Sequence, residues 1–294
     1  MIKYPYPVKY ATIKHNHNGS DMKLAYCDEG QGPQTLLFIH GLANYLPVFK
    51  HNIEFLQQYF RCIAIDLPGN GLSSGGDYPF SMFFYAETVS RFIEQLNLKN
   101  VVPVGHSMGG QISVIIALRY PHLIEKLVLL APSGFEYFSD MEKSWVKGLM
   151  RFGSFMYSDA MSLESAITNS YYHEKKQDAH HIIKDLKHIM TGEQGNYWGK
   201  MTKANIEGML DEQVSSFLPE LKQKTLLLYG KQDALIPNKV VHFNETTESL
   251  AKKSAALIEN CEYHIIPHCG HFIQIEAADK VNELILKFLT EGKQ

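Results

Sequence analysis

Short continuous runs of apolar residues, each closed by turn residues, recur along most of this chain. Such runs are typical of strands that are buried on both faces, as in a parallel sheet. They lie at residues 35–39, 62–65, 101–104, 126–130, 225–229 and 263–266. Stretches with the apolar spacing of helices separate most of them, at residues 49–59, 81–96, 111–120, 239–259 and 277–289. The alternation predicts an α/β fold with a doubly wound, mostly parallel sheet.

Two segments depart from this alternation and set the domain organisation. Between Ala11 and Asp28, polar and apolar residues alternate on either side of a turn at Asn18–Asp21, which predicts an antiparallel hairpin at the sheet edge. The interval between the runs at 126–130 and 225–229 is far too long for one crossover helix, and its apolar spacing is helical. We therefore expect an inserted, mainly helical cap over 134–219, and an α/β core formed by 1–133 and 220–294.

The composition is that of an ordinary soluble globular protein and argues against several classes of function. The 294 residues carry a formal net charge of -3, 45% are hydrophobic, and no block of Lys and Arg indicates nucleic-acid binding. No apolar run predicts a secretory signal or a membrane span, so we expect a cytoplasmic location without membrane association. The four cysteines lack metal-binding or redox spacing and are interpreted as free thiols. The oligomeric state stays open.

No motif predicts a cofactor or a metal ion. A Gly-rich phosphate-binding pattern follows none of the strand-like runs, so a nucleotide cofactor is not implied. The further ligands of a metal site are missing around the close histidine pairs, which lie at residues 15 and 17, 180 and 181, and 268 and 271. The expected partner is therefore a small-molecule substrate.

The segment Gly105-His106-Ser107-Met108-Gly109 lies between a strand-like run and a helical one. A serine at so sharp a turn adopts a strained backbone conformation that lifts its hydroxyl above the sheet, and flanking glycines avoid collisions with the neighbouring strand and helix. The segment therefore predicts a nucleophile elbow with Ser107 as the nucleophile. His106 is expected to line the interior of the elbow rather than to touch the substrate.

A serine nucleophile needs a general base and a third group that holds the base in the correct tautomer. His271 follows the last strand-like run, and Asp233 follows the one before it. Because the carboxyl ends of parallel strands share one edge of a sheet, we expect both residues to converge there with Ser107. Glu136, which follows the run at 126–130, is an alternative acid.

Attack on a carbonyl also requires an oxyanion hole, because negative charge develops on the carbonyl oxygen. The backbone N–H of Met108 lies at the positive end of the helix that begins at the elbow. The backbone N–H of Leu42 belongs to the loop after the first buried strand, where Gly41 permits a close approach. We predict that these two groups form the oxyanion hole.

Taken together, these motifs resemble those of the α/β-hydrolase fold superfamily, over nearly all of the chain except the cap. The resemblance rests on the elbow and on four further segments: His40-Gly41, Asp66–Ser73, Gly230–Pro237 and Gly270–Phe272. It implies the same fold and the same triad of Ser107, Asp233 and His271, in the superfamily order of nucleophile, acid and histidine. The glycines and proline that follow Asp66 are expected to form a tight connection without a part in the chemistry.

The serine nucleophile separates this chain from the haloalkane dehalogenases and epoxide hydrolases of the superfamily, which use aspartate. Ser107-Met108-Gly109-Gly110 and the frame Gly270-His271-x-x-Gln274-x-Glu276 resemble carbon–carbon bond hydrolases that cleave ring-fission products. The chain departs from that group at His106, where asparagine is usual, and at Phe272, where tryptophan is usual.

Our leading hypothesis is a serine esterase that cleaves a small, apolar carboxylic ester through an acyl-serine intermediate. The alternatives are a carbon–carbon bond hydrolase of diketone acids and a ligand-binding or signalling protein that retains the fold. The methionines and aromatic residues of the cap either contact an apolar acyl group or attach the cap to the core. Arg151, the only arginine in the cap, is expected at the surface, although it offers a bidentate partner for a substrate carboxylate.

Overall fold

The computed structural model describes residues 3–14, 21–153, 160–191 and 195–291, and the side chains of 150–163 and 189–196 lie outside that description. Its strands are Lys9–Lys14 (β1), Asp21–Glu29 (β2), Thr35–Ile39 (β3), Arg61–Ile65 (β4), Val101–His106 (β5), Lys126–Leu130 (β6), Lys224–Gly230 (β7) and Cys261–Ile266 (β8). They form one sheet with the order β1-β2-β4-β3-β5-β6-β7-β8.

The sheet has the mostly parallel arrangement that the sequence predicts. Strands β3 to β8 are parallel, whereas β2 pairs antiparallel with both β1 and β4. The edge hairpin is thus confirmed, although residues 15–20 of its turn lie outside the described residues. Every residue of β3 and of β5 is buried, so both faces of the central sheet are covered. This burial confirms a doubly wound α/β fold.

The described helices cover these faces and form the insertion. They are Lys50–Leu56 (α1), Met82–Gln95 (α2), Met108–Arg119 (α3), Asp140–Gly153 (α4), Ala160–Ser170 (α5), His180–Thr191 (α6), Gly195–Asp211 (α7), Thr247–Leu257 (α8), Ile273–Glu276 (α9) and Ala278–Thr290 (α10). In the core, α1 packs against α10, α2 against α3, and α8 against β7 and β8. Helices α4 to α7 all lie between β6 and β7 in the chain.

One predicted helix begins later than the apolar spacing indicates. The sequence predicts a helix over 239–259, but α8 begins at Thr247. Thr246 and Ser249 form a capping box there, in which each side chain accepts a hydrogen bond from the backbone N–H of the other residue. Upstream, Asn238 Oδ1 accepts hydrogen bonds from the N–H groups of Val240 and Val241 and holds that segment in a turn.

The described part of the segment 134–219 is helical and is attached to the core by polar contacts. Tyr85 of α2 donates a hydrogen bond to Asn205 of α7 at 2.9 Å. The Tyr45 hydroxyl donates to the carboxylate of Asp185 on α6. The backbone N–H of His271 donates to the carbonyl of Ser170, at the end of α5, at 2.8 Å. These bonds place the insertion against the loops at the carboxyl ends of β3 and β8.

Candidate active site

The backbone at Ser107 has the strained geometry that an elbow requires. Ser107 lies between the end of β5 and the start of α3, with φ 53° and ψ -118°. This left-handed φ is uncommon for a residue other than glycine. Backbone hydrogen bonds fix this conformation. The N–H of Ser107 donates to the carbonyl of Leu130, and the carbonyl of Ser107 accepts from the N–H groups of Gly110 and Ser133. The backbone of this candidate nucleophile is therefore held in one conformation.

Close packing at Gly109 explains why the elbow needs glycine there. A Cβ atom at Gly109 would lie 2.1 Å from the carbonyl oxygen of Ile39 and 2.7 Å from that of His40. Both contacts are to backbone atoms, which do not move aside cheaply. Glycine at this position therefore lets α3 begin directly against the end of β3.

The loop after β3, residues 40–44, lies beside the elbow. A Cβ atom on Gly41 would come within 3.0 Å of the Cβ of Ser107, so this loop runs next to the candidate nucleophile. The backbone N–H of Leu42 belongs to this loop, and that of Met108 lies in the first turn of α3, where N–H groups have no acceptor within the helix. Both predicted oxyanion donors are thus in segments that adjoin Ser107.

His40 fixes the conformation of this loop. Its Nε2 accepts a hydrogen bond from the N–H of Leu67 at 3.0 Å, and its Nδ1 lies 2.8 Å from the carbonyl of Gly41. Because Nε2 is an acceptor, the neutral ring carries its proton on Nδ1 and donates it to that carbonyl. Complete burial lowers the pKa of His40 to about 4, so the ring is neutral near pH 7.

Asp233 and His271 form the direct contact that the sequence predicts. His271 Nδ1 lies 2.8 Å from Asp233 Oδ2, and both residues are buried. The other oxygen of Asp233 accepts hydrogen bonds from the N–H groups of Leu235 and Ile236, at 2.8 and 3.0 Å. The carboxylate is therefore held in place, and it keeps the proton of a neutral His271 on Nδ1. This tautomer leaves Nε2 as the basic nitrogen.

His106 connects His271 to the elbow. Its ring is buried, as the sequence predicts for an interior position, and its centroid lies 4.9 Å from that of His271 and 5.2 Å from that of Phe272. His106 Nε2 lies 3.0 Å from the backbone carbonyl of His271, a contact that requires the proton on Nε2. Burial, more than the neighbouring His271, lowers the pKa of His106 well below its usual value. Neutral His106, the residue directly before Ser107, is therefore hydrogen-bonded to the backbone of the predicted base.

Glu276 is a positioning residue whose role was not apparent from the sequence. It is buried, and its carboxylate accepts hydrogen bonds from the backbone N–H groups of Gly270 at 3.1 Å, Phe272 at 3.2 Å and Tyr172 at 2.8 Å. It thereby holds both residues that flank His271 and links them to the segment after α5. The sequence signal was an acidic residue five positions after the histidine, within the frame that suggested the carbon–carbon bond hydrolases.

Glu136, the alternative acid, has different partners. Its Oε1 accepts a hydrogen bond from the backbone N–H of Asn238 at 2.6 Å and lies 2.7 Å from His242 Nδ1. Burial raises the pKa of Glu136, although these hydrogen bonds partly offset the effect. The carboxylate in contact with His271 is that of Asp233, so the geometry favours Asp233 over Glu136 as the third member of the triad.

Asp66 is a buried anchor for backbone segments near the site. Its two oxygens accept hydrogen bonds from the N–H groups of Leu46 and Leu72 and from the hydroxyl of Tyr4, at 2.8, 2.9 and 2.5 Å. Burial raises the pKa of Asp66 to about 6. These contacts agree with the predicted structural role of the turn at Asp66–Ser73, because they join three separate segments.

A small cavity lies between the loop after β3 and the insertion. Asn44 lines it together with Ala43, Tyr45, Gly69, Asn70, Gly71, Leu186, Tyr197 and Trp198. None of these lining residues carries a charge. Ala43, Asn44 and Tyr45 follow Gly41, the residue that adjoins Ser107, so the loop beside the elbow continues directly into the cavity wall.

The methionines and tryptophans of the segment 134–219 lie partly in the interior and partly at the surface. Trp198 and Met201 are buried, whereas Met141 and Trp145 are exposed at the surface. The side chains of Met150, Met156, Met161 and Met190 lie outside the described residues, as does that of Arg151. The expectation that the cap methionines and aromatics contact substrate or core therefore holds for only part of the set.

Neither a metal cluster nor a membrane-spanning helix occurs within the described ranges. No group of three or more His, Cys, Asp or Glu side chains there is arranged to hold a metal ion. His15 and His17, one of the close histidine pairs, lie outside those ranges. None of the described helices has the length and apolar character needed to cross a bilayer.

The sheet order, the strained Ser107 and the buried Asp233–His271 contact define a protein of the α/β-hydrolase type. The family model for the alpha/beta hydrolase fold matches residues 34–278. The chain therefore belongs to the α/β-hydrolase fold family, as the motifs indicate.

The individual proteins to which this chain is similar share about a quarter of its residues or fewer. Among solved structures, this chain is similar to a probable hydrolytic enzyme from Pseudomonas aeruginosa PAO1, with a TM-score of 0.81, 23% identity and coverage of 98% of this chain and 96% of that one. A thermophilic esterase from Thermogutta terrifontis gives a TM-score of 0.79, 21% identity and coverage of 96% and 98%. A 2-hydroxy-6-oxononadienedioate/2-hydroxy-6-oxononatrienedioate hydrolase from Escherichia coli K12 is 25% identical over 301 residues, or 92% of each chain.

Proposed function

We propose that this protein is a serine esterase that hydrolyses small, uncharged carboxylic esters through an acyl-serine intermediate. The observation that carries the proposal is the buried contact between His271 and Asp233, which His106 joins to the elbow at Ser107. Membership of a hydrolase family supports the reaction class. The sequence and geometry together support Ser107 as nucleophile, His271 as base and Asp233 as the orienting acid.

In the first half-reaction, Ser107 Oγ attacks the carbonyl carbon of the ester while His271 Nε2 accepts the hydroxyl proton. The negative charge that develops on the carbonyl oxygen accepts hydrogen bonds from the N–H groups of Leu42 and Met108. Cleavage of the ester C–O bond releases the alcohol, which takes the proton from His271. In the second half-reaction, a water molecule that gives a proton to His271 Nε2 attacks the acyl carbon. The bond from that carbon to Ser107 Oγ breaks, Oγ takes the proton back from His271, and the carboxylic acid is released.

The side chains between the loop at 40–44 and the insertion carry no charge, which supports the choice of neutral esters. A substrate carboxylate buried there without a cationic partner would cost several kcal/mol. The lining side chains are apolar, aromatic, glycine or amide, and none is Lys or Arg. An apolar acyl group avoids this desolvation cost.

The second candidate is hydrolysis of a carbon–carbon bond in a diketone acid. It is favoured by the Escherichia coli relative, which is named as a hydrolase of hydroxy-oxo dicarboxylates, and by the frame around Gln274 and Glu276. Such substrates carry carboxylates, and Arg151 is the cationic residue of the cap that would pair with one bidentately.

The test compares kcat/KM for neutral aryl esters with that for a vinylogous diketone acid of the ring-fission type, using wild type and Arg151→Ala. The proposal expects neutral esters to be preferred, with sustained turnover over many cycles and no effect of the substitution. A strong preference for the diketone acid that is lost in Arg151→Ala would replace the esterase with the carbon–carbon bond hydrolase. A single stoichiometric burst without further turnover would favour a ligand-binding protein that retains the fold.

A further inference from the structure

Three apolar residues of α4 point away from the protein. Met141, Trp145 and Leu149 are 83%, 49% and 46% exposed. Residues four positions apart lie on the same face of a helix, so these side chains form one continuous row, here called the α4 stripe. Tyr137, four residues before Met141, is also exposed. An apolar row of this length exceeds the scattered single exposed residues that are normal on a soluble protein.

The two lysines of α4 lie on its inner side. Lys147 forms a 2.5 Å ion pair with Asp211 of α7, and its side chain is 24% exposed. Lys143 pairs with Asp140 and is 18% exposed. A helix on the surface of a soluble protein normally turns its apolar face inward. In α4 the lysines face the neighbouring helix and the α4 stripe faces outward.

This orientation belongs to a well-formed helix. Ser139 and Glu142 bond to each other at its start, since Glu142 Oε2 accepts from both the N–H and the hydroxyl of Ser139 at 2.8 and 2.6 Å. The ion pair between Lys147 and Asp211 fixes the rotation of the helix two turns later. The outward position of the stripe is therefore set by specific contacts on the inner side.

The size of the α4 stripe argues against a second copy of the chain as its partner. Three exposed side chains offer an apolar surface on the order of a few hundred Å². A stable protein–protein interface needs about 800 Å² on each partner. Insertion into lipid requires no minimum interface area, because each apolar side chain enters the lipid independently.

The charges near the α4 stripe indicate the kind of surface that it fits. The described charged side chains of α4 and the partner acid on α7 show no excess of basic residues, with Asp140, Glu142 and Asp211 against Lys143 and Lys147. Anionic membranes attract segments with an excess of basic residues, and this segment has none. Tryptophan is favoured at lipid–water boundaries, where its apolar ring and its N–H group both find suitable surroundings.

We propose that the α4 stripe docks the protein reversibly on an uncharged or zwitterionic lipid surface. The docking is shallow, since only the side chains of one helix face enter the lipid. This binding goes beyond the proposed esterase function and does not depend on it. Its consequence does rest on that function: docking brings the site to apolar esters that are dissolved in the lipid.

The test measures the binding of the Ser107→Ala chain to phosphatidylcholine vesicles by co-sedimentation, so that lipid hydrolysis plays no part. We expect measurable binding that falls about tenfold or more when Met141→Ser and Trp145→Ser are combined. Tyr59→Ser, which removes a comparably exposed aromatic residue (46%) from outside the cap, should bind as the parent does. Added anionic lipid or added salt should change binding little. Absence of binding, or equal binding by the double variant, would overturn the proposal.

A fluorescence measurement distinguishes insertion from misfolding. The chain has two tryptophans, of which Trp145 is exposed and Trp198 is buried. Vesicles should shift the emission to shorter wavelength, and Trp145→Phe should abolish the shift while the signal of Trp198 and the unfolding temperature are retained. A lipid-induced shift that persists in Trp145→Phe would contradict insertion of the stripe. A lipid-free dimer that the double variant converts to a monomer would assign the stripe to self-association instead.

Discussion

His106 Nε2 donates a hydrogen bond to the backbone carbonyl of His271 across 3.0 Å. The two residues lie 165 positions apart in the chain, one directly before the candidate nucleophile and the other at the candidate base. Through this bond, the end of β5 fixes the loop after β8. The alignment of Ser107 and His271 therefore depends on a neutral, buried imidazole that takes no direct part in the proposed chemistry.

We predict that His106→Leu lowers kcat about tenfold or more and changes KM little, because it leaves the carbonyl of His271 without a donor and shifts the base. His106→Gln keeps an N–H donor at a similar reach and should retain most of the activity. Steady-state kinetics of the two variants on one neutral aryl ester test this prediction. Equal losses in both would show that His106 acts by filling space.

Glu276 should contribute to both stability and activity. In Glu276→Gln, an NH₂ group replaces one of the oxygens that accept hydrogen bonds from Gly270, Phe272 and Tyr172, so a buried N–H loses its acceptor. We expect the free energy of unfolding to fall by about 1–3 kcal/mol, together with a lower kcat. Glu283→Gln, at an exposed ion pair with Lys280, is the matched control and should change neither quantity. Similar values for the two variants would argue against a role of Glu276 in holding the His271 loop.

The two acids near the carboxyl edge of the sheet should differ sharply in their importance for catalysis. Asp233→Asn is expected to lower kcat/KM on the order of 10³-fold, because the amide no longer stabilises the imidazolium formed on His271. Glu136→Gln keeps an acceptor for the N–H of Asn238 and should leave kcat/KM nearly unchanged. The opposite ranking would move the catalytic acid to the segment after β6.

Because His40 is buried in its neutral form, the free energy of unfolding should fall on acidification. Its pKa is about 4 in the folded protein and 6.5 for an unperturbed histidine, so the unfolded chain binds the proton more tightly. The contribution of neutral, buried His40 to the free energy of unfolding is therefore fully present above pH 6.5 and is lost as the pH falls toward 4. Urea unfolding of wild type and His40→Gln should show the advantage of wild type shrinking by about 2 kcal/mol between pH 7 and pH 5. An advantage that is independent of pH would show that His40 is not held neutral by burial.

The features that follow from local patterns were predictable from the sequence. Buried parallel strands have continuous apolar sequences, so the order of the core elements followed from the apolar runs. The elbow around Ser107 followed from its glycine-flanked serine between a strand-like and a helical run. The contact between Asp233 and His271 followed from the rule that strand ends converge at one sheet edge.

Other features depend on contacts that no local pattern encodes. The start of α8 is set by the capping box at Thr246, whereas apolar spacing alone continued the helix back to 239. The role of Glu276 requires three N–H groups from two distant segments. The orientation of α4 was not predictable either, because periodicity shows that a helix has an apolar face but not that the face turns outward.

The most direct test of the acyl-serine mechanism is kcat/KM of Ser107→Ala on a neutral aryl ester, measured beside its unfolding temperature. The substitution removes the nucleophilic hydroxyl without opening a core cavity, and alanine keeps the Cβ atom, so the backbone strain at this position stays as it is. We predict a loss on the order of 10³-fold or more, with an unfolding temperature close to that of wild type. A correctly folded variant that keeps most of the wild-type activity would contradict Ser107 as the nucleophile, and with it the proposed mechanism.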